Sequence, residues 1–510
     1  MRAPAGSCRR CRSSWPTNGR TAGSKKGEGW RVGLADGRIV PLTVDNAAAQ
    51  RNLTLYDVVW VHLGEGKGKA GTRAELRVRP VVQGTVVVLE NKTGRILAMT
   101  GGFSYPLSQL NRTTQAVRQP GSAIKPLSYL AALGKGLQPN TLVIDEPITL
   151  PPLAGSRARD YWTPKNYDGG SRGTLTLRQA LENSRNLATV HLLDGGIEKK
   201  PEASLDRVCS LAAEARIYRE CERYYPFVLG AQPVRPVDLA AFYAAIANEG
   251  LRPAPHVVES IETDGFVVYR HNPKSSATIT SVDHAACYQL KTMMQGVLAR
   301  GTARTISSLA PYVAGKTGTS DEENDAWFVG STNDVTVAVW VGYDNADGKR
   351  RTLGGGATGG HVAVPIFESV IQAVWANVAP KTALAPPSPE AKRQLACKSV
   401  DPESDEIAKG SGKAITECFR VDAKGKVIQT QYSLVSQENH AKRDREDGAA
   451  RKKVSVAPRK ESTPVAKANA WSQDPWRAQH QWGWQWGSGQ QWREERREWR
   501  TPQSSWGGWR

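Results

Sequence analysis

A serine and a lysine stand three residues apart, Ser122 and Lys125, just after a Pro-Gly break in "RQPGSAIKPLSYL". On a helix such residues share a face, with Cβ atoms about 5–6 Å apart. A serine hydroxyl is a weak nucleophile until a base takes its proton. A lysine amine becomes that base when burial and neighbouring charge lower its pKa. Backbone N–H groups at the start of a helix suit a developing oxyanion. Read for structure alone, Ser122 is a helix N-cap. A chain of this length holds about two such Ser-x-x-Lys matches by chance, so the pair needs partners.

Two other stretches supply them. "ENSRNLAT" carries Ser184, Arg185 and Asn186, whose hydroxyl and amide can orient a lysine and a substrate backbone. "VAGKTGTS" carries Lys316, Thr317, Gly318 and Thr319. Its lysine and hydroxyls suit a carboxylate, and its glycine lets another backbone come close. The structural alternatives are a helix stop at Asn186 and an exposed strand charge at Lys316. Two decoys share the letters. Lys92-Thr93-Gly94 and Ser331-Thr332-Asn333 sit in expected hairpin turns, where such residues are favoured anyway. Only Ser122, Ser184, Lys316 gives the three motifs in order with wide separations.

These motifs need rigid elements. "VQGTVVVLENKTGRILAMTGG" reads as two strands around a turn at Asn91 to Gly94. A helix follows from Ser122, with Pro126 in its first turn. A second runs over 174–184, with Thr174 or Thr176 as its cap. A third ends at Gly250 and a fourth near Gly301. Three strand candidates then form a meander over 312–344, turning at Asn333-Asp334, and a helix over 362–378 closes the region. The pattern predicts an α+β domain, an antiparallel sheet covered by helices. Upstream, residues 30–80 read as a small all-β, OB-like barrel module with a hairpin turn at Asp36-Gly37.

The ordered motifs resemble those of the penicillin-binding proteins and serine β-lactamases. The flanks "RQPGSAIKPLSYLAAL", "WTPKNYDGGSRGTLTLRQALENSRNLATV" and "VAGKTGTSDEENDAWFVGST" look like the transpeptidase domain of class A penicillin-binding proteins. The likeness covers roughly 30–380, with 81–380 as the transpeptidase portion and 30–80 similar to that family's small β-domain. It implies a serine acyl-enzyme that cross-links peptidoglycan stem peptides. Ser122 would be the nucleophile and Lys125 its base. Ser184, Asn186 and Lys316 would complete the catalytic set, and Thr317, Gly318 and Thr319 would bind substrate. Backbone N–H groups of Ser122 and Thr319 would hold the oxyanion. The implied partners are a D-Ala-D-Ala donor peptide, an amine acceptor and β-lactams, with a membrane surface or other cell-wall synthases beside them and no nucleic acid. No cofactor or metal is implied. The alternatives are a D,D-carboxypeptidase, a β-lactamase, or an inactive penicillin-binding sensor. For a β-lactamase, Glu198 and Glu202 lie between the motifs but match no deacylating-glutamate pattern. The family works in the periplasm or on the outer face of the inner membrane. Its membrane helix and glycosyltransferase domain have no counterpart upstream of Trp30, so glycan polymerisation is expected to be absent.

Bulk composition fits this reading. The 510 residues carry a net charge of +19, which suits anionic surroundings. No stretch is apolar enough for a membrane span or a signal peptide. Of seven cysteines, Cys8 and Cys11 form a lone CxxC with no second pair at metal spacing. Cys209 with Cys221, and Cys397 with Cys418, are candidate disulfides in an oxidising compartment. Residues 1–29 and 438–510 are basic and aperiodic, and read as disordered tails. The second holds nine of the 16 tryptophans. Residues 381–437 read as an extension with a strand or two.

Overall fold

The computed structural model describes residues 9–13, 29–44, 52–54, 56–64, 72–77, 80–153, 161–345, 348–401 and 414–428. The disorder expected over 1–29 is corrected at Arg9–Ser13, which form a strand paired on both sides; the rest of that expectation, Gly29 apart, and the one over 438–510 fall outside these residues. Contacts divide the chain into two units. The first comprises Met1–Asp344 and Arg351–Ala441 and holds every element below. The second, Asn345–Arg350 with Lys442–Arg510, is nearly all outside the described residues.

Alternation of apolar and polar residues makes the first strands. β1 (Arg9–Ser13), β2 (Arg31–Gly33), β3 (Ile39–Thr43), β4 (Val58–Gly64) and β5 (Arg73–Arg77) close into a barrel of order β1-β2-β3-β5-β4. β3 and β5 run parallel and the other neighbours antiparallel. Val32, Val40, Leu42, Val61 and Ala74 fill it, drawn from alternate positions as a one-face pattern requires.

The larger body begins with β6 (Gln83–Glu90) and β7 (Ile96–Thr100). A 3-10 turn, Gly121–Ile124, runs into α1 (Lys125–Gly134). β8 (Leu142–Asp145) pairs with β9 (Gly173–Thr176), which leads into α2 (Leu177–Glu182) and α3 (Asn186–His191). α4 (Pro201–Glu214) and α5 (Pro236–Ala247) follow. Two small sheets come next, β10 (Leu251–Arg252) with β13 (Ala277–Thr278) around the hairpin β11 (Ser260–Thr263) and β12 (Phe266–Arg270). Then come α6 (His284–Ala299), β14 (Ala314–Thr319), β15 (Asp325–Ser331), β16 (Val335–Gly342), α7 (Gly359–Asn377), α8 (Pro389–Lys392), β17 (Leu395–Val400) and β18 (Ile415–Arg420).

β14-β15-β16-β6-β7 form one antiparallel sheet. β15 and β16 are buried along their whole length, as central strands covered on both faces must be. Trp327, Val329 and Trp340 turn to a core shared with α1 and α5. Phe328, Val337 and Val339 turn the other way, onto Phe367 and Ile371 of α7. This is the expected α+β architecture.

The second helix starts later than its sequence suggested. Gly173–Thr176 is strand, and α2 begins at Leu177. Thr176 is the cap: it accepts from Gln179 N at 3.1 Å, while Gln179 Oε1 accepts from Thr176 N at 3.0 Å. That reciprocal capping box fixes the start. Cys209–Cys221 and Cys397–Cys418 are disulfides, and Cys287 is free and buried. The second bridge joins β17 to β18. Among the described residues no helix is long and apolar enough to cross a membrane.

Candidate active site

The three motifs meet because glycines let their backbones touch. A Cβ on Gly318 of β14 would lie 2.3 Å from Pro120 O and 2.8 Å from Ala123 Cβ. A Cβ on Gly121 would lie 2.2 Å from Thr319 O. Only glycine allows this approach, so the turn carrying Ser122 lies against β14. Gly121 also has φ +49, a conformation that favours glycine. Trp327 Nε1 donates to Gln119 O at 2.8 Å and pins the chain entering the turn to the sheet. Ser122 is neither a cap nor a surface residue: it lies inside the 3-10 turn, half-buried, and Lys125 begins α1 with Pro126 at its first turn.

Ser184 has φ +57. It follows α2 as the left-handed residue of the helix stop: Ser184 N–H donates to Leu181 O at 3.0 Å and Arg185 N–H to Ala180 O at 2.9 Å. Glycine is the usual occupant of such a position. Serine here presents both its hydroxyl and its carbonyl to the two lysines. Lys125 Nζ donates to Ser184 O and to Asn186 Oδ1, each at 2.6 Å, and lies 3.5 Å from Ser184 Oγ. Lys316 Nζ donates to Ser184 Oγ at 2.8 Å and to Thr317 O at 3.1 Å. Both lysine side chains are 0% exposed. The reading of Lys316 as a surface charge is therefore excluded.

Burial, with the Lys316 and Arg185 cations close by, holds the Lys125 amine well below the usual lysine value. Burial alone brings Lys316 down to about 7. A neutral amine has two N–H donors and one lone pair. In its neutral form Lys125 would spend both donors on Ser184 O and Asn186 Oδ1, its two shortest contacts, and keep the lone pair for a proton.

β14 is the edge strand of its sheet. Ser320 N–H donates to Asp325 O, so by antiparallel alternation Thr317 and Thr319 direct their backbone N–H and C=O to the open edge. Their side chains are held as well. Thr317 Oγ1 hydrogen-bonds Thr302 Oγ1 at 2.6 Å, and Thr319 Oγ1 accepts from Gly359 N at 3.1 Å.

A supporting layer went unread in the sequence. Asn166 Oδ1 accepts from Asn186 N at 2.7 Å and Leu187 N at 3.1 Å, capping α3 from outside. Asn186 Nδ2 donates to Lys165 O at 2.8 Å, which turns its Oδ1 toward Lys125. Arg185 is 5% exposed and pairs with the fully buried Asp145 at 2.8 Å and with Asp168 at 2.6 Å. Asn166 Nδ2 also donates to Asp145 Oδ1. These partners lie 17 to 40 residues before the residues they bond, beyond the reach of any local pattern. Lys165, Asn166 and Asp168 lie in the quoted flank "WTPKNYDGG", and Asp145 carried no signal at all. Neither decoy approaches the cluster: Thr93 bonds Glu90 within its turn, and Ser331 bonds Thr336. Glu198 pairs with Lys135. Among the described residues no carboxylate hydrogen-bonds to Ser122 or Lys125.

Residues 84–204 and 227–372 match the model of a family described as the penicillin binding protein transpeptidase domain. Penicillin-binding protein 1A of Rickettsia bellii is 32% identical over 368 residues, which are 68% of this chain and 44% of that protein. Its counterpart in Aquifex aeolicus is 37% identical over 305 residues, 60% of this chain and 39% of that one. The chain thus spans less than half the length of these relatives. The crystal structure of penicillin-binding protein 1A from Haemophilus influenzae superposes with a TM-score of 0.63 at 22% identity, covering 79% of this chain and 62% of that one.

Proposed function

The chain belongs to the penicillin-binding protein transpeptidase family, and from that premise we propose that it is a peptidoglycan D,D-transpeptidase acting through an acyl-enzyme on Ser122. The observation that carries this reading is the buried pair of lysines meeting at Ser184, Lys125 through Ser184 O and Asn186 Oδ1 and Lys316 through Ser184 Oγ. Lys125 takes the Ser122 proton as Oγ attacks the carbonyl between two terminal D-alanines. N–H groups of Ser122 and Thr319 hold the oxyanion. As the tetrahedral species collapses, the proton passes to the departing D-alanine amine, by way of Lys125 and the Ser184 hydroxyl. The acceptor amine then attacks the ester and regenerates Ser122.

Lys316 carries the charge that receives the terminal carboxylate, with Thr317 and Thr319 beside it. The donor peptide lies along the open edge of β14 as an added strand. β-Lactams occupy the same place and acylate Ser122. The absence, among the described residues, of a carboxylate bonded to Ser122 or Lys125 favours slow hydrolysis of the acyl-enzyme over β-lactamase turnover. The two disulfides support an oxidising compartment, the periplasm or the outer face of the inner membrane.

A fluorescent penicillin tests the reading. The wild-type chain is expected to hold a stable covalent label, and Ser122→Ala to hold none while melting at nearly the same temperature. Rapid turnover of the label would mean a β-lactamase, and no label at all an inactive sensor. Incorporation of a D-amino acid into supplied uncross-linked glycan, against release of D-alanine alone, separates transpeptidase from carboxypeptidase.

A further inference from the structure

Built from none of the three motifs, a cavity of about 410 Å³ opens among the C-terminal end of α4, the start of α5 and the segment after β10. Arg216, Arg219, Arg235 and Arg252 line it, with Asp238 as the one carboxylate in the lining. Arg235 Nε pairs with Asp238 at 2.6 Å, and Arg252 reaches the same carboxylate at 3.3 Å. Arg216 donates to Ser275 O at 3.0 Å. Among the described residues no carboxylate pairs with Arg216 or Arg219. Four guanidiniums against one carboxylate leave three positive charges uncompensated.

Two details set this apart from an ordinary basic surface. Arg252 is only 4% exposed, and its buried Nε has no hydrogen-bond partner among the described residues. That nitrogen lies behind the cavity wall, so Arg252 presents its charge to the cavity from a nearly dry position, where charge is weakly screened. Arg216 has φ +50 and ends α4 as its left-handed residue, with N–H to Ala213 O at 2.9 Å and Ile217 N–H to Ala212 O at 3.0 Å. An arginine thus stands where glycine is favoured, and its side chain lines the cavity.

We propose that this cavity binds a multiply charged phosphate-type anion. A single carboxylate would leave most of the excess charge in place. A phosphate or diphosphate group offers two or more charges and several acceptor oxygens to planar guanidinium forks. Tyr218 and Ile217 supply the walls. The anion is either free or the headgroup of a lipid surface.

The test uses the full chain and inorganic pyrophosphate, titrated by calorimetry at constant ionic strength. Saturable binding at one site is expected, weakened about tenfold for each arginine lost in Arg216→Ser and in Arg216→Ser/Arg219→Ser. Both replaced residues are exposed, and neither belongs to the acylation machinery, so labelling by a fluorescent penicillin should stay at the wild-type rate. The unfolding midpoint, which needs no activity, checks that the variants are folded. Sedimentation with phosphatidylglycerol vesicles distinguishes the sources. Vesicle binding that falls in the double variant and is displaced by pyrophosphate assigns a headgroup. Pyrophosphate binding with vesicle binding unchanged between wild type and variant assigns a soluble anion. If pyrophosphate does not saturate, or binds the double variant as tightly as wild type, the proposal is wrong.

Discussion

Ser184 shows how one residue can be favourable for chemistry and unfavourable for its backbone. A left-handed conformation costs a residue with a Cβ roughly 1–2 kcal/mol relative to glycine. Ser184→Gly and Ser184→Ala both remove the hydroxyl between the lysines, but only the first relieves the backbone. Chemical denaturation should find Ser184→Gly more stable than Ser184→Ala by about 1 kcal/mol, while both acylate at least about a hundredfold more slowly than wild type. Equal stabilities would show that the conformation carries no strain. The lysines predict a pH dependence. Lys316 falls from 10.5 to about 7 on folding. Between those values the unfolded chain holds a proton the folded chain lacks, so stability rises with pH across the window and is level below it. Lys316→Met should reduce that slope in melts taken from about pH 7 to 10. The second-order acylation constant should fall above about pH 7, as Lys316 loses its charge, and again as pH drops through the lowered Lys125 value and that amine gains a proton. The order of the motifs made Ser122, Lys125, Ser184, Asn186 and Lys316 legible as a set. Nothing local marked Asn166 or Asp145, because their roles exist only once loops distant in sequence have met.

At the scale of elements, the sheet was easy to read and the small helices were not. β15 and β16 announce themselves as apolar runs between turn residues. α3 has only six residues, too short for a helical period to show, and it forms because Asn166 caps it from another loop. α4 was legible but went unread: Leu205, Val208, Leu211 and Ala212 recur at helical spacing and are buried. The hairpin β17–β18 reaches the site indirectly. Arg178 of α2 is buried and donates Nε and Nη2 to Glu417 of β18 and Nη1 to Glu182, and α2 ends in the stop that presents Ser184. Glu417→Ala removes the closer of its two carboxylate partners and leaves Glu182, at 3.3 Å, with an expected loss of about 1–3 kcal/mol and slower acylation by any folded fraction. The Cys397–Cys418 bridge closes a loop of 21 residues. By chain entropy it is worth about 3 kcal/mol, so Cys397→Ser/Cys418→Ser should unfold correspondingly earlier in urea. An unchanged midpoint would show that the hairpin docks without its crosslink.

The whole molecule is strongly basic, with a net charge of +19. That charge predicts binding to anionic vesicles at low ionic strength that weakens as salt shortens the screening length, and a sedimentation assay across salt concentrations checks it. Residues 1–28 and 429–510 contain none of the groups assigned to acylation. A chain trimmed to 9–428, which keeps β1 in its barrel, is expected to acylate at the wild-type rate, and loss of labelling on trimming would show that the catalytic unit is drawn too small. The central claim, however, is that one hydroxyl among three converging motifs is the nucleophile. Intact-mass measurement of the chain treated with benzylpenicillin, followed by peptide mapping, addresses it most directly. The account predicts a single adduct on the peptide containing Ser122, and none in Ser122→Ala. An adduct on any other residue, or one that persists in Ser122→Ala, would contradict it.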